Sequence, residues 1–199
     1  MREYSFDLHL HSCLSPCADD DMTPWNLVGM ARVNGLDVIA LTDHNCCLNV
    51  EDALAAGEEV YAHLADVRND PALFGNQIIM RNGDTPSGTV EKLLINATDL
   101  SVDETCALVR AHGGIPIPAH INRGSNGMIG ALGLMPFLPE YPVVEVYRQV
   151  DCPAYAVKGR SVLHSSDAHR LEDIQDRVFE LDAPPTAQGV LDWLRAHGA

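Results

Sequence analysis

The chain has 199 residues, 46% hydrophobic and 21% charged, which suits one domain around a single substantial core. Thirteen basic against 28 acidic residues leave a net charge of −15, which argues against a broad nucleic-acid surface but not against a small phosphorylated ligand or one nucleotide end. The start, Met1-Arg2-Glu3-Tyr4, opens no signal-type apolar run, and no stretch approaches the ~18 apolar residues of a membrane span, so a cytoplasmic protein is expected. In that compartment Cys13, Cys17, Cys46, Cys47, Cys106 and Cys152 read as free thiols or occasional metal ligands, and Cys46-Cys47 lack the C-x-x-C spacing of a zinc ribbon.

Residues 5–10 alternate like a strand and run into His9 and His11. Thr23-Pro24 is a helix start, with Thr at N-cap and Pro in the first turn. Leu27, Met30, Ala31 and Val33 then form a helical stripe that Gly35 closes. Residues 38–41 predict a buried strand delivering Thr42-Asp43-His44, which completes a βαβ pattern with parallel strands. Residues 49–65 read as helix. Residues 70–98 form an insertion or hairpin, marked by Gly75-Asn76, Asn82-Gly83 and Pro86-Ser87-Gly88. Ser101-Val102-Asp103-Glu104 is a capping box opening a helix that ends at Gly113-Gly114. Strands follow at 115–118, 143–146 and 161–163, the first ending at His120 and the last in Ser166-Asp167-Ala168-His169. Residues 178–181 read as a final strand and 185–196 as a closing amphipathic helix.

Four strand ends thus carry His9/His11, Asp43/His44, His120 and Asp167/His169. Period-two alternation puts His9 and His11 on one side of their strand, where two imidazoles can share an ion. Any one of these histidines alone reads equally well as a core residue. Their joint placement at strand ends, which share one face in α/β barrels, points to bound metal. Histidine and carboxylate donors suit Zn, Mn or Fe better than Ca or Mg. His63, His112, His164 and His197 need no such role. Arg123, three residues beyond His120, is a candidate phosphate clamp, because a guanidinium can bind phosphate through two parallel hydrogen bonds.

The blocks Asp7-Leu-His-Leu-His-Ser12, Leu41-Thr-Asp-His-Asn45, Pro118-Ala-His120 and Ser166-Asp-Ala-His169 resemble, in order and over nearly the whole chain, the PHP (polymerase and histidinol phosphatase) family. The resemblance implies a single α/β domain over residues 1–199, a distorted (β/α)7 TIM-like barrel with up to three divalent transition-metal ions (Zn, Mn or Fe). It also implies hydrolysis of a phosphomonoester or nucleotide end by metal-activated water. Carried over by motif, His9, His11 and Asp167 would hold one ion, His120 would contribute to a second, and His44 and His169 would hold a third. Cys17 falls near the place of a further ligand to that third ion. Asp43 and His169 would assist proton movement or orient a ligand. The family's bridging glutamate and following histidine, expected after Asn45, have no counterpart on a strand. Glu58, Glu59 and His63 have the chemistry without the setting, and Gly57 marks the point where a strand segment is missing. Two other readings stand beside this one: a metal-binding protein impaired in catalysis, and a metal-dependent hydrolase of amidohydrolase type. The oligomeric state is left open.

Overall fold

The computed structural model describes residues 4–46, 60–82, 84–136, 141–174 and 179–198. Gly57, Glu58 and Glu59 lie outside the described residues, as does most of the helix expected over 49–65.

Strand β1 (Phe6–Leu10) pairs in parallel with β2 (Val38–Leu41) across helix α1 (Pro24–Val33). Thr23 caps α1 by accepting from the Asn26 amide at 3.2 Å, and Pro24 sits in the first turn, where a missing N–H costs nothing. The β1–β2 register shifts between Asp7 and Leu10, a bulge-type irregularity beside the histidines. Helix α2 (Pro71–Phe74) leads into an antiparallel hairpin of β3 (Ile78–Arg81) and β4 (Thr85–Thr89). Helix α3 (Val102–Ala111) opens on the complete Ser101/Glu104 capping box. After helix α4 (Met128–Leu132) comes β5 (Val143–Glu145), which pairs in parallel with β6 (Ser161–Leu163) across helix α5 (Ala154–Val157). Helix α6 (Ala187–Gly198) closes the described chain.

Helix α6 joins the two parallel pairs. Its Val190 and Leu194 pack with Phe6 of β1, Val143 of β5 and Leu163 of β6 in one apolar cluster. Burying each such side chain stabilises by about 1.5–3 kcal/mol. A second cluster sets Leu27 and Met22 against Leu10 and Ala168. A third places Leu14, Leu64, Val90 and Leu94 under the hairpin. Among the described residues no helix is long and apolar enough to cross a membrane.

The expected (β/α)7 TIM-like barrel is not formed. The strands make three separate two-stranded sheets, and no closed barrel runs through the described residues. Closure needs an unbroken ring of strand pairing. The expected strand at 115–118 is Ile-Pro-Ile-Pro; Pro116 and Pro118 have no N–H to give a ladder, and the segment forms no strand. Its backbone pairing with β5 among the described residues comes down to Glu145 N–H donating to Pro118 O (3.0 Å), followed just beyond the segment by Ile121 N–H donating to Glu145 O (2.9 Å). The segment around Asp167 meets β1 at a single parallel bridge, Leu10 to Ala168. The expected strand at 178–181 is likewise reduced, over its described residues, to one antiparallel bridge between Ser5 and Glu180.

Gly75 follows α2 at φ 95°, and a Cβ there would run into the Pro16 carbonyl of the loop after β1. Both conditions exclude a side chain. Gly75→Ala is expected to lower stability by about 1–3 kcal/mol, read as a reduced urea midpoint; an unchanged midpoint would show that the α2–loop contact is not strained.

Candidate metal centre

Parallel pairing delivers the functional side chains to one region. His9 is in β1 and His11 just beyond it; Asp43 and His44 follow β2, Glu145 ends β5, and Asp167 and His169 follow β6. All line one cleft of about 1400 Å³, together with Cys17, His120 and Arg123. The centre of the arrangement is a triangle of acceptor-type atoms. His9 Nε2 lies 3.1 Å from His11 Nε2 and 3.3 Å from Asp167 Oδ1, and His11 Nε2 lies 3.2 Å from the same oxygen.

The hydrogen bonds made by the opposite ring nitrogens decide what this triangle is. His9 Nδ1 faces both Glu145 oxygens, at 2.9 and 3.1 Å; a carboxylate only accepts, so Nδ1 carries the proton. His11 Nδ1 meets Ser15 Oγ at 3.0 Å. That hydroxyl donates to Asp43 Oδ1 (2.8 Å) and accepts from the His44 amide (3.2 Å), so it takes the His11 Nδ1–H on its other lone pair. In the neutral rings both Nε2 atoms then present bare lone pairs to each other and to a carboxylate oxygen. Three buried lone pairs at these spacings repel. Donors about 2.0–2.2 Å from a shared divalent ion stand roughly 2.8–3.1 Å apart in an octahedral shell and roughly 3.3–3.6 Å apart in a tetrahedral one, and the observed spacings fall at the meeting of the two ranges. The residues present fit a bound cation.

Donors continue on either side. His11, His44 and His169 form one group of ligand atoms within 4.8 Å of one another, and His9, His120 and Asp167 form another. The His11 ring stacks on His169 at 4.3 Å and on His44 at 4.5 Å between centroids. His169 Nδ1–H donates to the Asp167 carbonyl at 2.8 Å, which leaves its Nε2 free as a ligand. Cys17 Sγ lies 3.3 Å from His44 Nε2. Burial first, and repulsion from neighbouring imidazoles second, holds His11 and His44 down to about 3 and lowers His120 as well. In His169 burial again leads, followed by the Arg123 charge. The His11 and His44 rings are neutral at pH 7, and His120 and His169 are shifted toward the same form, the protonation state a metal requires.

Arg123 pairs with Asp167 Oδ2 and lies over the Tyr147 ring, 4.9 Å from its centroid. Asp43 accepts from the Ser12 amide (2.7 Å), Ser12 Oγ (2.7 Å) and Ser15 Oγ, so both its oxygens are engaged in orienting the loop that carries His11. Burial pushes its carboxyl up, against those hydrogen bonds. His63 is away from the centre, paired with Asp99 at 2.9 Å.

Two supporting features escape a reading by motif. Glu145 is only 7% exposed and orients His9. Its signal was a lone carboxylate in the apolar run Val143-Val144-Glu145-Val146. Ser15 left no signal, because a serine in a loop is ordinary. The backbone is strained at the same place: His120 has φ 30° and Asp167 φ 56°, a region that costs non-glycine residues about 1–3 kcal/mol each. His120 Nδ1 and Asp7 Oδ2 are also buried with no hydrogen-bond partner among the described residues. Strain and unpaired polar atoms weaken a fold, so their presence here is consistent with a candidate functional site.

No protein-family model matches the chain, and no curated protein matches it.

Two outcomes are expected. An unfolded chain takes up protons on His11 and His44 near pH 6.5, whereas the native metal-free protein resists until about pH 3. Their contribution to stability is complete above pH 6.5 and is lost as pH falls toward 3. Urea midpoints measured on metal-free protein should drop steadily over that window, and a rise on acidification would contradict the burial of neutral rings. Glu145→Gln, which removes the charge behind His9, should weaken metal affinity by about 10–100-fold, measured by competition with a chromogenic chelator.

Proposed function

We propose that the chain is a metal-dependent phosphoesterase, acting on a small phosphomonoester or a nucleotide end. The observation that carries this reading is the triangle of His9 Nε2, His11 Nε2 and Asp167 Oδ1, three buried lone pairs with both tautomers set by their partners. The four motif blocks that resemble the PHP family support the phosphate-ester part of the reading. In it His9, His11 and Asp167 hold the central ion, His120 extends the set on one side, and His44 and His169 on the other. Two or three divalent ions of the Zn, Mn or Fe type fit this band of donors.

Such ions supply Lewis acidity, activating water and neutralising phosphoryl oxygens. They also reverse the local field, which matters in a chain of net charge −15 that is to admit an anion. The protein's own residues do the rest. Arg123, held beside Asp167 and backed by Tyr147, is placed to bind phosphate oxygens through its free N–H groups. Glu145 and the Asp43–Ser15 pair keep His9 and His11 in one tautomer. In this reading His169 serves as a ligand through Nε2, since its Nδ1–H is taken by the Asp167 carbonyl, and neither ring nitrogen is left to pass a proton.

Elemental mass spectrometry on protein expressed with added Zn or Mn should find at least one equivalent of transition metal, and less than that would refute the site. Phosphate release from sugar phosphates and nucleotides should be detectable with the loaded protein and abolished in His9→Ala. Metal retention without turnover on any phosphate ester would leave a structural metal site instead. Arg123→Ala should keep its metal and lose about 10–100-fold in kcat/KM, the equivalent of one charge-assisted hydrogen bond.

A further inference from the structure

Upstream of the donors the cleft is apolar. Leu8, Val38, Ile115, Ile117, Val190 and Leu194 line the same space of about 1400 Å³ and pack with one another in a single cluster. The first four precede donors on their own segments: Leu8 before His9, Val38 before Asp43 and His44, and Ile115 and Ile117 before His120. Helix α6 completes this wall, since Ala187, Val190, Leu191 and Leu194 all line the cleft at the spacing of one helix face. In a closed barrel the corresponding interior is filled by layers of side chains. Here β2 is only half-buried along its whole length, and Leu191 is 42% exposed. An apolar surface is thus left open to a ligand in the cleft.

Charge is kept away from this wall. Among the described residues lining the cleft, the only arginines or lysines are Arg123 and Arg170, and both lie beyond a donor, as do Glu172 and Asp173. Asp43, Glu145 and Asp167 stand at or just past strand ends. A second phosphate or a row of sugar hydroxyls would meet no polar side chain on the wall and would lose its water at a cost. Each methylene moved there from water instead strengthens binding by about 4-fold. The cleft also exceeds the roughly 300–1,000 Å³ that holds a small organic ligand, so a phosphoryl group alone would fill little of it.

We propose that the substrate is a phosphate monoester of an apolar alcohol, its phosphoryl group on the donor band beside Arg123 and its alkyl or aryl part on the wall formed by β2, residues 115–117 and α6. This rests on the phosphoesterase reading and names its substrate class. Hydrolysis breaks the phosphorus–oxygen ester bond; water gives its hydroxyl to phosphorus and its proton to the departing alcohol.

The test uses the full chain loaded with Zn or Mn and two ligand series running from methyl to octyl. The n-alkyl phosphates are read by phosphate release, and the n-alkylphosphonates, which cannot be hydrolysed, by calorimetric titration. Both kcat/KM and affinity should rise by about 2–4-fold per methylene, and octyl phosphate should be preferred to nucleoside monophosphates and sugar phosphates. Leu191→Asp and Ala187→Asp, both at exposed positions, should keep the far-ultraviolet circular dichroism and flatten the chain-length slope. Phosphate release with a flat slope, a preference for nucleotide or sugar phosphates, or slopes unchanged in both variants would overturn the apolar wall as a substrate site and leave the phosphoesterase reading standing. Phosphonate affinity that climbs with chain length, with no phosphate released from any ester, would overturn the phosphoesterase reading and the substrate with it, leaving an apolar ligand site beside the metal.

Discussion

Three lone pairs brought within 3.3 Å of one another in a buried setting are the constraint around which the rest of this protein is arranged. Without a positive charge they repel, and each imidazole could relieve the repulsion by moving its proton to Nε2. Glu145 and the Ser15–Asp43 pair prevent that by holding the proton on Nδ1. The arrangement is therefore poised for a cation at some expense to the fold. The left-handed backbone at His120 and Asp167 adds to that expense. Arg123 offsets it in part, since its guanidinium neutralises Asp167 Oδ2.

Assembly of the site requires few long strands. Two parallel pairs, β1–β2 and β5–β6, each send their C-terminal ends the same way, and α6 holds the pairs together through Val190 and Leu194. The backbone links between the pairs are sparse, the Leu10–Ala168 bridge with the His11 amide donating to the Ala168 carbonyl at 3.1 Å, and the shared apolar cluster and side-chain pairs such as His9–Glu145 add to them. A carbonyl-to-amide link directly beside His11 fixes the distance from His11 to Asp167 more tightly than packing alone would. That is why the side-chain geometry is defined although no closed sheet surrounds it among the described residues.

The loop between β1 and α1 does more than connect them. Its serines orient His11 and hold Asp43, its thiol reaches His44, and its Pro16 carbonyl occupies the space a side chain at Gly75 would need. Asn45, at φ 44°, ties the exit of β2 to the carbonyls of Leu94 and Asn96 at 2.7 and 3.0 Å. The region around the hairpin therefore buttresses the site from behind. Asn122 does the same for the Arg123 turn, donating to the Tyr147 and Val150 carbonyls and accepting from the Tyr147 amide.

Local chemistry was legible in the sequence, because it depends on near neighbours. The Thr23-Pro24 start, the Ser101/Glu104 capping box, strand β2 and the strand-end positions of His9, His44, Asp167 and His169 follow from spacing and side-chain type. The expectation of a closed barrel failed because closure depends on pairing between distant segments. Proline at 116 and 118 removes the N–H groups that such pairing needs. Pairwise contacts between remote residues were likewise decided only by the tertiary structure. Nothing within a few residues of Glu145 says that it will meet a ring 136 positions earlier, and nothing near Ser15 says that it will stand between His11 and Asp43. The sequence determined which side chains could bind a metal; the fold decided which nitrogens face inward, because tautomer and aim are set by partners that only folding brings into reach.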